Sequence, residues 1–128
     1  MYYVKLRKGV VSVHEATVNT DRQISLESIH EAIGGYFEVG MFVFSMGVEP
    51  NPMKSEGLAF LVDEEGLLKN LPHTLVRPWD GTPLVGPIMI VPSAPIGSME
   101  YGLYPYKDEN EANALAAHFE AFGFRKEV

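Results

Sequence analysis

Residues 2–18 read YYVKLRKGVVSVHEATV, and that stretch sets the kind of fold the chain can build. Tyr2, Val4 and Leu6 alternate with Tyr3, Lys5 and Arg7, the period-two pattern of a strand with one buried face. Lys8-Gly9 supplies a turn, and Val10–Val18 reads as a returning strand. The chain is therefore predicted to open with an antiparallel hairpin. A polar loop, Asn19 to Gln23, follows.

Outward from the hairpin, two helices are legible. Ser25 reads as an N-cap, with Ile24 and Ile29 at the positions of a hydrophobic staple and Leu26, Ile29 and Ile33 at helical spacing. Gly34-Gly35 ends that helix, because glycine takes the left-handed C′ conformation without a steric penalty. Near the other end of the chain Asp108 caps a second helix, with Glu111 completing a capping-box arrangement. Ala112, Leu115, Ala116, Phe119 and Phe122 form its apolar stripe, and Gly123 is its stop, with Phe124 folding back.

Between the helices, Tyr36–Phe44 reads as a buried strand from its aromatic and β-branched residues. Met46–Glu56 reads as a loop, Gly57–Val62 as a strand, and Asp63-Glu64-Glu65-Gly66 as a solvated acidic turn. Six of the nine prolines lie from Pro72 to Pro95. Since proline donates no amide hydrogen, that region is predicted to be mostly ordered loop around one strand, Ile88–Val91. Met99–Tyr104 is a candidate last strand. The expectation is one α+β domain over residues 1–128, a mostly antiparallel sheet with both helices packed on one face.

Composition narrows function by exclusion. The net charge is −7, from 10 Lys and Arg against 17 Asp and Glu. That balance repels nucleic-acid backbones and anionic membranes over most of the surface but leaves room for a small anion in a local basic pocket. Cysteine is absent, so disulfides and thiolate metal sites are excluded. Met1–Lys8 lacks the apolar core of a signal peptide, and no run reaches the roughly 18 apolar residues of a membrane span. A cytoplasmic protein is expected. No phosphate-loop, zinc-protease or nucleophile-elbow motif is present. The histidines, His14, His30, His73 and His118, are scattered, so neither a metal nor a cofactor is expected.

The stretch SLESIHEAIGGYFEV, residues 25–39, and the stretch FLVDEEGLLKNLP, residues 60–72, resemble a family of small phage, prophage and plasmid proteins, the domain of unknown function 3846. Gly34, Gly35, Tyr36 and Glu38 match its first motif, and Glu64, Glu65, Gly66, Leu71 and Pro72 its second. Gly86-Pro87-Ile88 matches the start of a following strand. Asp63 stands where the family has Asn, and His73-Thr74 where it has a polar stretch containing Asn. The resemblance covers about residues 1–92. It implies a mobile-element origin and action in an infected host cell, and supplies no reaction.

The stretch most suggestive of binding is Lys69–Asp80, KNLPHTLVRPWD. Lys69, His73 and Arg77 recur every fourth residue, beside Asn70 and the lone Trp79. Arg clamps phosphate in a bidentate way and Trp offers a flat face for a base. Tyr36, after the glycine pair, joins them as a candidate ligand-binding residue. The plain alternative is that Trp79 covers the core edge and Arg77 is a surface charge. Two functions follow, both without catalysis. One is a homo-oligomeric binder that sequesters a small anionic ligand such as a nucleotide signal, the use that the mobile-element resemblance implies. The other is an acidic interaction module that blocks a host protein.

Overall fold

The computed structural model describes residues 1–44, 57–96 and 100–127. The predicted hairpin is there: β1 (Tyr2–Arg7) pairs antiparallel with β2 (Val10–Glu15), Val4 opposite Val13 and Leu6 opposite Val11. Then come α1 (Leu26–Ile33), β3 (Phe37–Phe44) and β4 (Gly57–Asp63). After them follow β5 (His73–Val76), β6 (Pro83–Val85), β7 (Ile88–Pro95) and β8 (Tyr101–Leu103), and last α2 (Glu109–Ala121) and β9 (Arg125–Lys126). The main sheet runs in the order β3-β4-β7-β1-β2-β9, with β8 also on β7, and is antiparallel except for the β2–β9 pair. β5 and β6 form a separate two-stranded sheet. The fold is α+β. Among the described residues no helix is long and apolar enough to cross a membrane.

Strand alternation gives the main sheet two apolar faces. On one, Val4, Leu6, Val11, Phe60, Ile88 and Ile90 pack with Ala112, Ala116 and Phe119 of α2 and with Leu84 of the β5–β6 hairpin. On the other, Tyr3, Ala59, Leu61, Met89 and Val91 pack with Ile29, Ala32 and Ile33 of α1. The helices therefore lie on opposite faces, not on one as expected. β4 and β7 are apolar at consecutive positions, which a strand needs only when both of its faces are covered.

Several local expectations also change. Leu26 is exposed, and Ser28 takes its place in the buried face of α1, its hydroxyl accepting the Thr17 amide at 2.9 Å. Phe122 is exposed because α2 ends in a Schellman turn. The Phe124 amide bonds the Phe119 carbonyl at 3.1 Å, the Gly123 amide bonds Glu120 at 3.0 Å, and Gly123 sits at φ +107°. The Phe124 ring then packs edge-on against Phe119, 5.8 Å between centroids.

β3 ends the sheet and is only half covered, since aromatic and β-branched composition does not separate an edge strand from a central one. A bulge between Val39 and Met41 shifts its alternation, so Phe37 and Met41 face opposite cores instead of sharing a side.

The proline-rich region holds three strands, not one. Pro83 opens β6 and Pro95 closes β7. Pro92 stands between the part of β7 paired with β1 and the part paired with β8. These are places where the lost amide donor is least needed. The Met46–Glu56 loop and Met99 lie outside the described residues.

Candidate functional site

The two stretches quoted for the family resemblance meet at one corner of the sheet. Asp63, at the end of β4, pairs with Phe37, and the Glu64 amide donates to the Tyr36 carbonyl at 3.0 Å. Asp63 is not part of a solvated turn. Its side chain is 2% exposed and accepts from Lys69 Nζ at 2.7 Å and from the Glu65 amide at 2.9 Å. The Lys69 hydrogen bond holds the Asp63 carboxyl below its ordinary pKa against the opposing effect of burial, and Asp63 in turn holds Lys69 above its own. A Cβ at Gly35 would lie 3.0 Å from both charged atoms, so glycine is what lets the pair close against the backbone. Asn70 ends the turn in the left-handed region, φ 56°, its amide on the Leu67 carbonyl. Lys69 and Asn70 thus serve this corner.

Arg77 is also engaged. Its Nε and Nη2 clamp Asp80 at 3.1 and 2.7 Å, and its Nη1 donates to the Gly40 carbonyl at the β3 bulge, 3.1 Å. Asp80 is held below its ordinary pKa first by the Thr82 amide, with Arg77 adding to the effect. Trp79 does not cover the core edge. It is 61% exposed, with the Arg77 guanidinium 6.0 Å from its ring centre. His73 is exposed on β5 and Tyr36 is 80% exposed. The spacing of four does not gather Lys69, His73 and Arg77, because the chain there is a turn followed by a strand and not a helix.

What joins the Asp63 corner to Arg77 is a depression of about 240 Å³ lined by both, together with Glu38, Glu64, Val39 and Leu67. Its walls carry three carboxylates against one guanidinium, and that guanidinium is already clamped. Two of its lining side chains, Val39 and Leu67, are exposed apolar groups, and Trp79 stands beside the lining Arg77; Tyr36, Leu68 and Val76, next in sequence to Phe37, Leu67 and Arg77, are exposed too, Leu68 by 88%. The polar β3 edge is interrupted by the bulge and by Arg77.

Sequence reading missed a second polar cluster, on β1 and β2. The register places Lys5 opposite Ser12, Arg7 opposite Val10 and Tyr3 opposite His14, all on one side of the hairpin. Ser12 Oγ lies 2.7 Å from His14 Nε2, and the His14 ring stacks on Tyr3. Glu127, just past β9, pairs with Arg7, and Arg7 first and Ser12 after it hold its carboxyl below its ordinary pKa. Burial lowers the pKa of both Lys5 and His14. The signal was available, since Lys5, Arg7, Ser12 and His14 are the polar members of the two alternating strands. At the same end of the sheet a cleft of about 400 Å³ is lined by Arg7, Lys8, Val10, Leu71, Pro72, Thr74, Gly86 and Pro87.

No family model, no curated protein and no solved structure matches the chain.

Proposed function

We propose that the protein is a binding module without catalysis, and that it engages a protein partner through the surface around the Arg77 depression. The observation that carries this reading is the exposure of Val39 and Leu67 in the wall of that depression and of Trp79 beside its Arg77, with Leu68 and Val76 exposed next to Leu67 and Arg77 in sequence. Exposed apolar groups gathered around a recess and rimmed by charge mark interaction sites. Glu38, Glu64, Glu65 and Asp80 supply an acidic rim, so the fitting partner presents an apolar anchor flanked by Lys or Arg. The mobile-element resemblance adds the proposal that this partner belongs to a host cell and is blocked by being covered.

A second reading, sequestration of a nucleotide, is favoured by one observation, the open face of Trp79 beside Arg77. Against it stands the engagement of both nearby cations, Lys69 by Asp63 and Arg77 by Asp80. A phosphate would have to displace a carboxylate at either one.

Affinity capture from host cells with the wild type and with the Leu67→Asp/Leu68→Asp variant, followed by calorimetry on the recovered protein, tests the first reading. Binding should be lost in the variant and weakened by rising salt. Saturable binding of a cyclic or linear nucleotide below millimolar concentration, abolished by Arg77→Ala, would establish the second reading instead.

A further inference from the structure

The cluster on β1 and β2 closes on one carboxylate, that of Glu127. The Glu127 carboxylate is held below its ordinary pKa, first by Arg7, and so is ionised at neutral pH. An ionised carboxylate only accepts hydrogen bonds, and the Ser12 hydroxyl has a single proton. Ser12 Oγ lies 2.7 Å from His14 Nε2, the donor being set by the His14 tautomer, and Ser12 also helps to hold the Glu127 carboxyl below its ordinary pKa. The arrangement is a donor array closed on a carboxylate: the Arg7 guanidinium and the Ser12 hydroxyl on Glu127, with the Lys5 ammonium alongside.

The carboxylate that fills the array comes from the strand after α2. That strand is held by its own backbone, with the Arg125 amide on the Gly9 carbonyl at 2.8 Å and the Glu127 amide on Val11 at 2.9 Å. The Glu127 side chain and Arg7 are both about two-fifths exposed, so the pair is open to exchange. Arg7 also lines the neighbouring cleft, whose other walls include the apolar side chains of Val10, Leu71, Pro72 and Pro87. A volume of about 400 Å³ falls in the usual range for small-molecule sites.

We propose that Arg7 and Ser12 form a binding site for a small carboxylate whose apolar body lies in the Leu71–Pro87 cleft, and that Glu127 occupies the carboxylate position as an internal plug. The site is separate from the surface around Trp79, and its ligand is a small acid with an aryl or alkyl body. Bidentate geometry and a fixed charge make Arg7 the group that selects the carboxylate. Glu127 sets the affinity, since an entering acid has to displace it.

The test uses 4-phenylbutyrate and its neutral amide, titrated into the full chain and followed by the backbone amide resonances of residues 5–13. Glu127→Gln removes the plug's charge but keeps the backbone bonds of β9. Phenylbutyrate should bind this variant at least about tenfold more tightly than the wild type, the gain for a site otherwise open about a tenth of the time. Adding Arg7→Gln to that variant should abolish binding, and the amide should not bind. Equal affinity for wild type and E127Q, equal affinity for acid and amide, or no binding to E127Q at tens of millimolar would each overturn the proposal. Trp79→Ala should leave every one of these titrations unchanged.

Discussion

Asp63 concentrates the most consequence in one side chain. Its carboxylate is buried, joined to Lys69 and to the Glu65 amide, and made possible by Gly35. Because its folded pKa lies below the unfolded value, its contribution is fully present above about pH 4 and disappears as the pH falls through the folded pKa. Asp63→Asn should therefore destabilise the protein at pH 7 by about 1–3 kcal/mol, the worth of hydrogen bonds to a charged group. The gap between variant and wild type should narrow in urea titrations below pH 4. Trp79 is the opposite case. Since it is largely exposed, Trp79→Ala should change the unfolding free energy by less than about 0.5 kcal/mol. A large loss would mean that the indole holds the β5–β6 hairpin in place. The sequence marked both neighbourhoods for attention, but it read Asp63 as part of a solvated turn and did not reveal the ion pairs of Lys69 and Arg77. Residue types show that Lys69 and Arg77 are cationic. They do not show that Asp63 and Asp80 lie within 2.7 Å of them in the fold.

The elements were legible where local chemistry alone decides them. Ser25 and Asp108 cap their helices as expected, accepting from the Ser28 and Asn110 amides. Gly34 and Gly123 take the left-handed conformations that end those helices. The misreadings came where tertiary context overrides local signal. Composition could not show that Pro92 falls between the stretch of β7 paired with β1 and the stretch paired with β8, or that a bulge turns the alternation of β3. Phe119 was placed correctly, buried between Phe60 and Phe124 at the centre of the α2 interface. Phe119→Ala should cost about 3–5 kcal/mol in chemical denaturation, because removing a large ring leaves a cavity that relaxes poorly. An unchanged midpoint would mean that α2 is not docked on β1 and β2.

For the whole molecule, the arrangement of helices bears on assembly. A homo-oligomer is the expectation from the sequence because several strands with only two helices to cover them leave an apolar face or edge open. With α1 and α2 on opposite faces, and the β5–β6 hairpin beside α2, each face of the central strands has an apolar cover, and the exposed apolar side chains described on the main sheet, Val39, Val43 and Tyr101, lie on β3 and β8. A two-fold contact through the surface around Trp79 would set Glu38, Glu64 and Glu65 of two copies near one another, which disfavours self-pairing. Light scattering at tens of micromolar should therefore return the mass of one chain, about 14.2 kDa. A doubled mass that Leu68→Asp restores to the single value would assign the apolar surface to a second copy. The proposed occupant of this surface is a different protein, and Trp79, the only tryptophan, reports on it directly. Titrating the captured partner into the wild type while following Trp79 emission should give a saturable blue shift, as an indole now 61% exposed leaves water. The same titration with Leu67→Asp/Leu68→Asp should give none. Saturation without any change at Trp79, or an equal shift in the variant, would mean that the partner does not dock on this surface.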